Sequence, residues 1–188
     1  VTTNHEGASG SGIALLELLG ADTVDLGEIQ IHSTVEQTTS CLISESIRGS
    51  WAILVSQAGQ RFFNEMETRD KVSAAIIGLP KNMLALSLMN RCGQKTRLLK
   101  NIWHEDSPEA LTEKLVMNPH ALLAALKCYN SFVGNQCDEK FGRRTALRHL
   151  IDRGPFCAIR IASSVYHTMD GMVINTEATG TGQGKTGD

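Results

Sequence analysis

The sequence predicts a mixed fold, α+β or α/β, on three observations. First, "SPEALTEKL" and "NPHALLAALKCYNSFVGN" carry helix-start chemistry followed by apolar residues at helical spacing. Second, short apolar runs ("AILV", "FCAIRIA", "GMVIN") read as strands. Third, no segment repeats, which excludes a solenoid or propeller. At 188 residues the chain suits one domain or parts of two, with room for a buried core.

In chain order, "NHEGASGSGIALLELLGA" is a Gly-rich turn feeding a helix over roughly 12–19, with Gly20 as its stop. Small residues before a helix let backbone N–H groups approach a phosphate or a ring, although an ordinary Gly-rich loop reads the same way. "WAILVSQAGQRFFNE" reads as a hairpin, with strands Ala52–Ser56 and Arg61–Asn64 around the turn 57–60. A helix over 68–77 follows, ending at Gly78 and Pro80. Ser107 and Asn118 are N-caps, each followed by Pro at the first helical position. In the second of these helices Leu122, Leu123, Leu126, Tyr129 and Phe132 or Val133 form one apolar face.

Composition removes several function classes. A net charge of −2 gives no basic field for nucleic acid or an anionic membrane. No apolar run reaches the roughly 20 residues of a membrane span. The N-terminus lacks the basic start and apolar stretch of a signal peptide, so a cytoplasmic location is expected, with a periplasmic one left open. The five cysteines are scattered without a CxxC, which argues against structural zinc and a disulfide framework and for a reducing compartment. No metal cluster, P-loop or nucleophile–base pair stands out, and the absence of CxxCH leaves the electron donor unidentified.

The run "RFFNEMETRDKVS" crowds Arg61, Glu65, Glu67, Arg69, Asp70 and Lys71 together. A charged helix start is most often a solvated face; the alternative is an arginine held against an anion or in a proton path. Glu45 and Arg48 lie on another segment. His32 in "QIHSTV" and His167 in "VYHTMDG" read by themselves as structural histidines.

Taken together and in order, "TTNHEGASGSGIAL", "QIHSTV", "LISESIRG", "AILV…GQRFFNEMETRDKVS", "CYN", "FGR", "PFCAIRIA" and "HTMDGMVINTEA" resemble the soluble fumarate reductase flavoproteins. These are FAD-dependent, flavocytochrome c type relatives of succinate dehydrogenase. The resemblance implies a Rossmann-like FAD domain interrupted by a capping domain that closes over substrate. Residues 1–30 and 154–188 would be partial pieces of the FAD domain, and 31–153 the cap.

It also implies the chemistry: hydride from reduced flavin to one alkene carbon of fumarate or a similar dicarboxylate, and a proton to the other. Arg69 matches the proton donor, and Glu45 and Arg48 match the relay that recharges it. His32, Leu42, Ser44, Glu45 and Tyr166 match substrate-binding positions. Gly10, Ser11, Gly12 and His167 match positions beside the flavin.

The departures fall on the same motifs. Ser11 stands for an aspartate, Ser33 for the proline of "HPT", Ser44 for a threonine, Leu42 for a methionine and Trp51 for a glycine. Tyr166 replaces the first histidine of the "HHTM" doublet, and Asp170 replaces a glycine. Tyrosine can hydrogen-bond a carboxylate but offers no imidazolium, which admits another enoate such as urocanate or an acrylate as substrate. The family's N-terminal GxGxxG fingerprint and its C-terminal arginine-bearing segment are not matched.

Residues 83–102 and 179–188 resemble nothing in the family. Allowed codons for them, read in a shifted frame, give "AGIVFDEPLRAKNKAAEEY" and "QVLDKEKPV", both family-like. The expectation is a frame-damaged fragment, inactive alone. In it 83–102 is a poorly specified patch or helix whose deletion costs little, and the rest of the FAD domain belongs to another chain or is lost.

Overall fold

The computed structural model describes residues 2–50, 52–80, 85–90 and 101–182. Trp51 and the residues around the six-residue strand at 85–90 therefore lie outside the described residues, as does the end of the tail.

The elements are α1 (Ser11–Leu18), β1 (Thr23–Val24), β2 (Ile29–Glu36), α2 (Glu45–Ser50), β3 (Ala52–Ser56), α3 (Arg69–Ile77), β4 (Ala85–Asn90), β5 (Ile102–Glu105), α4 (Pro108–Leu115), α5 (Pro119–Asn135), β6 (Phe156–Thr168) and β7 (Gly171–Met172). The mixed class agrees with the sequence. The chain divides into two compact units, His32–Ser164 and Thr2–Ile31 with Val165–Asp188.

The larger unit is built on a sheet of order β2-β6-β4-β3, with β5 also paired to β6. The pairings β3–β4, β4–β6 and β5–β6 are antiparallel. Its apolar strands are covered on both faces. From β3, Ile53 and Val55 pack with Leu111 and Leu115 of α4 and Leu122, Leu126 and Tyr129 of α5. The intervening Ala52 and Leu54 pack on the other side with Val72 and Ile76 of α3. Strand β6 alternates likewise, with Phe156 and Ala158 on the first side and Cys157, Ile159 and Ile161 on the second. A period of two with both faces buried is why "AILV" and "FCAIRIA" read as continuous apolar runs. Each fully buried aliphatic side chain contributes about 1.5–3 kcal/mol.

Both Pro-led helices form as expected. Ser107 Oγ accepts from Ala110 N and Asn118 Oδ1 from Ala121 N. α5 buries Leu122, Leu126, Tyr129, Phe132 and Val133, whereas Leu123 is 36 % exposed and does not join that face.

Three expectations change. The second hairpin strand at 61–64 reduces to one bridge, Val55 to Arg61, because Arg61 turns inward to ion partners rather than extending the ladder. Residues 85–90 form a strand hydrogen-bonded on both edges, not a loose patch or helix; a ladder is made by backbone groups, so strand pairing tolerates an unusual side-chain sequence. The larger compact unit runs through Ser164, because β6 pairs with β4 and β5. Finally, Cys157 is disulfide-bonded, which the sequence reading did not expect, while Cys41, Cys128 and Cys137 are free.

In the smaller unit, β1 pairs with β7, and Thr3 N donates to Val165 O at 3.1 Å. None of the side chains of α1 is buried. Among the described residues no helix is long and apolar enough to cross a membrane.

Candidate active site

Strand β2 and the chain after it set the first half of the site. Val35 bridges Leu42, Ile43 N donates to Thr34 O, and Thr34 Oγ1 donates to Ile43 O at 2.8 Å. This folds 41–43 back along β2, so that Leu42, Ser44 and Glu45 follow directly from the segment paired with His32's own strand. Glu45 opens α2, where a carboxylate suits the helix dipole, and Arg48 lies one turn later. Arg69 opens α3 after Thr68.

These elements bring Arg69, Glu45 and Arg48 together. Arg69 forks onto the carboxylate, Nε donating to Glu45 Oε1 and Nη2 to Oε2, the latter at 3.2 Å. Arg48 Nη2 stands 3.8 Å from the same Oε1. The three groups grade from solvent to core: the Glu45 side chain is 43 % exposed, Arg69 35 % and Arg48 4 %. The hydrogen bond from Arg69 holds the Glu45 carboxyl below its usual range, outweighing the opposing effect of burial, with Arg48 helping. Burial pushes the Arg48 guanidinium down; Glu45 and Glu65 oppose this and Arg69 adds to it.

His32 is 2 % exposed. Burial lowers its pKa, Glu45 raises it, and Arg69 and Arg48 lower it further, so His32 lies within the field of all three groups. Thr34 N donates to His32 Nδ1 at 3.3 Å, which places the proton of the neutral ring on Nε2. Leu42 and Ser44 are half-buried, and the Ser44 hydroxyl is 2.6 Å from that of Ser46. Ser33, standing for a family proline, is fully buried with no hydrogen-bond partner for its hydroxyl.

The other sequence-derived positions belong to the smaller unit. Gly10 is the N-cap of α1 at φ 75°, a left-handed conformation suited to glycine. Nothing lies within 4 Å of where a Cβ would stand on Gly10 or Gly12. Backbone open at a helix N-terminus suits an anionic group. Tyr166 and His167 have ring centroids 4.8 Å apart, and His167 Nδ1 is 2.6 Å from Thr168 O. Asp170 is half-buried with one oxygen unpartnered. Among the described residues, no group of His, Cys, Asp and Glu could hold a metal ion.

A second charge cluster was given no role by the sequence. Arg61, Glu65, Asp138 and Arg143 are all buried, at 5, 1, 1 and 0 % exposure. Glu65 accepts from Arg61 Nε and Nη2 (both 2.9 Å), Arg143 Nη1 (3.0 Å) and Leu54 N (3.2 Å). Asp138 accepts from Arg61 Nη2 at 2.8 Å and from the N–H groups of Lys140 and Phe141 at 3.0 Å. The signals were present in the i,i+4 spacing of Arg61 and Glu65 and in the "FGR" motif. Charge spacing does not reveal burial, however.

A family model described as an FAD binding domain matches residues 1–186. The chain is 60% identical over 183 residues to an NADH:fumarate oxidoreductase of Klebsiella pneumoniae (strain 342), covering 94% of this chain and 20% of that protein. The chain belongs to the FAD-binding fumarate reductase flavoproteins. Within this family it is also 31% identical to a probable fumarate reductase, Ifc3, of Shewanella frigidimarina (strain NCIMB 400), over 95% of this chain and 31% of that one. The open form of a flavocytochrome c3 fumarate reductase superposes with a TM-score of 0.79 at 30% identity, over 97% of this chain and 33% of the other. The chain thus spans a fifth to a third of the length of these relatives. These relatives are named as oxidoreductases or reductases, and the matching family model is an FAD binding domain.

Proposed function

We propose that this chain carries the proton-delivery half of a fumarate-reducing flavoenzyme, acting as part of a longer protein or assembly and without turnover alone. The carrying observation is the fork of Arg69 onto Glu45 with Arg48 behind it. FAD, when bound, supplies the hydride. Arg69 gives a proton to the opposite alkene carbon. A guanidinium is a weak acid, so its loss must be made good at once. The Glu45 carboxylate, bonded to two of its nitrogens, takes a proton from Arg48, which burial eases toward deprotonation, and hands it to Arg69; water then recharges Arg48. His32, with its proton on Nε2, binds a substrate carboxylate; Leu42 and Ser44 line the approach, and Tyr166, by its place in the matched motif, is a further substrate-binding residue. Gly10, Ser11, Gly12 and His167 would hold the flavin edge.

The test uses the flavin-loaded whole enzyme. Glu45→Gln and Arg69→Gln should each lower fumarate reduction by about 10²–10⁴-fold, with flavin content and bleaching by an artificial donor unchanged. Activity within a few-fold of wild type in both variants overturns the reading, as does viologen-linked fumarate reduction by the chain alone.

Tyr166 supports a second reading within the same chemistry, an enoate other than a dicarboxylate, such as urocanate or acrylate. A panel of alkenoates, with Tyr166→His expected to shift preference toward fumarate, separates the two. A non-catalytic remnant or a split subunit is the third reading; restoration of flavin binding by a chain bearing the dinucleotide fingerprint identifies the split form.

A further inference from the structure

The buried cluster of Arg61, Glu65, Asp138 and Arg143 grips Arg48 twice. The main-chain oxygen of Glu65 accepts from Arg48 Nη1 at 3.1 Å. Arg143 Nη2 donates to the main-chain oxygen of Arg48 at 3.4 Å. The grip is itself fixed. Glu65 is clamped by Arg61, Arg143 and the N–H of Leu54. Arg143 also donates to Ala52 O, Thr145 O and Ala146 O. Asp138 accepts from the same Arg61 Nη2 that reaches Glu65, and the Arg61 guanidinium lies over the rings of Tyr129 and Phe141.

Burying four charges is a poor way to gain stability alone, because apolar side chains of similar volume hold a core equally well. An apolar filling could not fix Arg48 in direction. The separation of 3.8 Å between Arg48 Nη2 and Glu45 Oε1 is just beyond hydrogen-bonding range, so a small displacement decides whether the two exchange a proton directly.

We propose that Glu65 and Arg143, braced by Arg61 and Asp138, are positioning residues that set where Arg48 stands relative to Glu45. The catalytic consequence rests on the proton-path reading above; the geometric claim does not.

His32 is the reporter, since Arg48 lowers its titration. The experiment follows the His32 ring by NMR against pH in the full chain as wild type, Arg48→Gln, Arg143→Lys and Asp138→Asn, with melting temperatures beside each. Arg143→Lys keeps the charge and loses the fork. Its His32 midpoint should move up, in the direction of Arg48→Gln. A lower melting temperature with the wild-type midpoint means the cluster is structural only, and overturns the proposal.

Should Arg143→Lys fail to fold, Asp138→Asn decides. Removal of an anion by itself lowers a histidine midpoint, so a rise signals displaced Arg48, and a fall or no change overturns the proposal. In the flavin-loaded whole enzyme, Arg143→Lys should lower kcat by about 100-fold with KM little changed, the scale on which an ångström of misplacement acts. If Arg48→Gln keeps full turnover, the proton path fails while the His32 result still stands or falls independently.

Discussion

Arg61, Arg69 and Lys71 come from one charged run, and their surroundings separate them. Lys71 pairs with Glu67 at 2.9 Å with its side chain 59 % exposed, a contact worth about 0–1 kcal/mol. Arg61 is paired with Glu65 and Asp138 in the core. Lys71→Ala should therefore leave the unfolding free energy within about 0.5 kcal/mol of wild type, while Arg61→Ala should cost about 3–5 kcal/mol by stranding two buried carboxylates. Urea titration of both variants checks the contrast. Arg69, forked onto a half-exposed glutamate, lies between these extremes. The sequence showed all three as similar letters in a charged stretch. What made Arg69, Glu45 and Arg48 legible was the order of motifs around them. Glu65 and Arg143 stayed illegible because nothing in charge spacing says which side of a backbone faces the core. Glu36 was unread for a similar reason. Burial alone would raise its pKa, but the Thr39 hydroxyl and the N–H groups of Thr38 and Thr39 hold it at about 2. A folded value below the unfolded one stabilises at neutral pH, and the contribution is lost as pH falls from about 4.5 to about 2. Glu36→Gln should flatten the fall in melting temperature across that window; an unchanged slope would show that other carboxylates carry it.

At the scale of elements, helix ends were the most legible feature, because Ser107-Pro108 and Asn118-Pro119 state their chemistry locally. The hairpin was half legible. Its turn is correct, with Gly59 at φ 81°, but the return strand is replaced by the inward swing of Arg61, a tertiary effect. The turn also does a second job. A Cβ on Gly59 would stand 2.9 Å from Leu122 N and 3.1 Å from Asn118 O, against the first turn of α5. Gly59→Ala therefore meets both an unfavourable φ and a backbone clash, and should lower stability by more than about 1 kcal/mol; a neutral thermal shift would mean that α5 gives way. Strand β4 reverses the expectation drawn from its unfamiliar letters. With β3 on one edge and β6 on the other, deletion of 85–90 should abolish the cooperative transition of the larger unit. A deletion variant that melts like wild type would restore the view of this stretch as dispensable.

For the molecule as a whole, the mixed class was readable, because Pro-led helices and apolar strand runs alternate along the chain. The limits of the two compact units were not, since β6 runs through one of them as a single strand, from Phe156 to Thr168. Arg69, Glu45, Arg48 and His32 all precede residue 71, yet the charges that seat Arg48 include Asp138 and Arg143, 77 and 78 positions beyond Arg61 and Glu65. During synthesis the ribosome would release these four residues long before Asp138 and Arg143. Arg61 and Glu65 must wait, partnered only with each other and with water, until α5 has formed and the turn after it has closed a long loop, an entropic step that local pairing cannot shorten. The packing around Arg48 is thus among the last things the growing chain acquires. A nascent chain stopped short of Arg143 would display the family's motifs without the means to aim them.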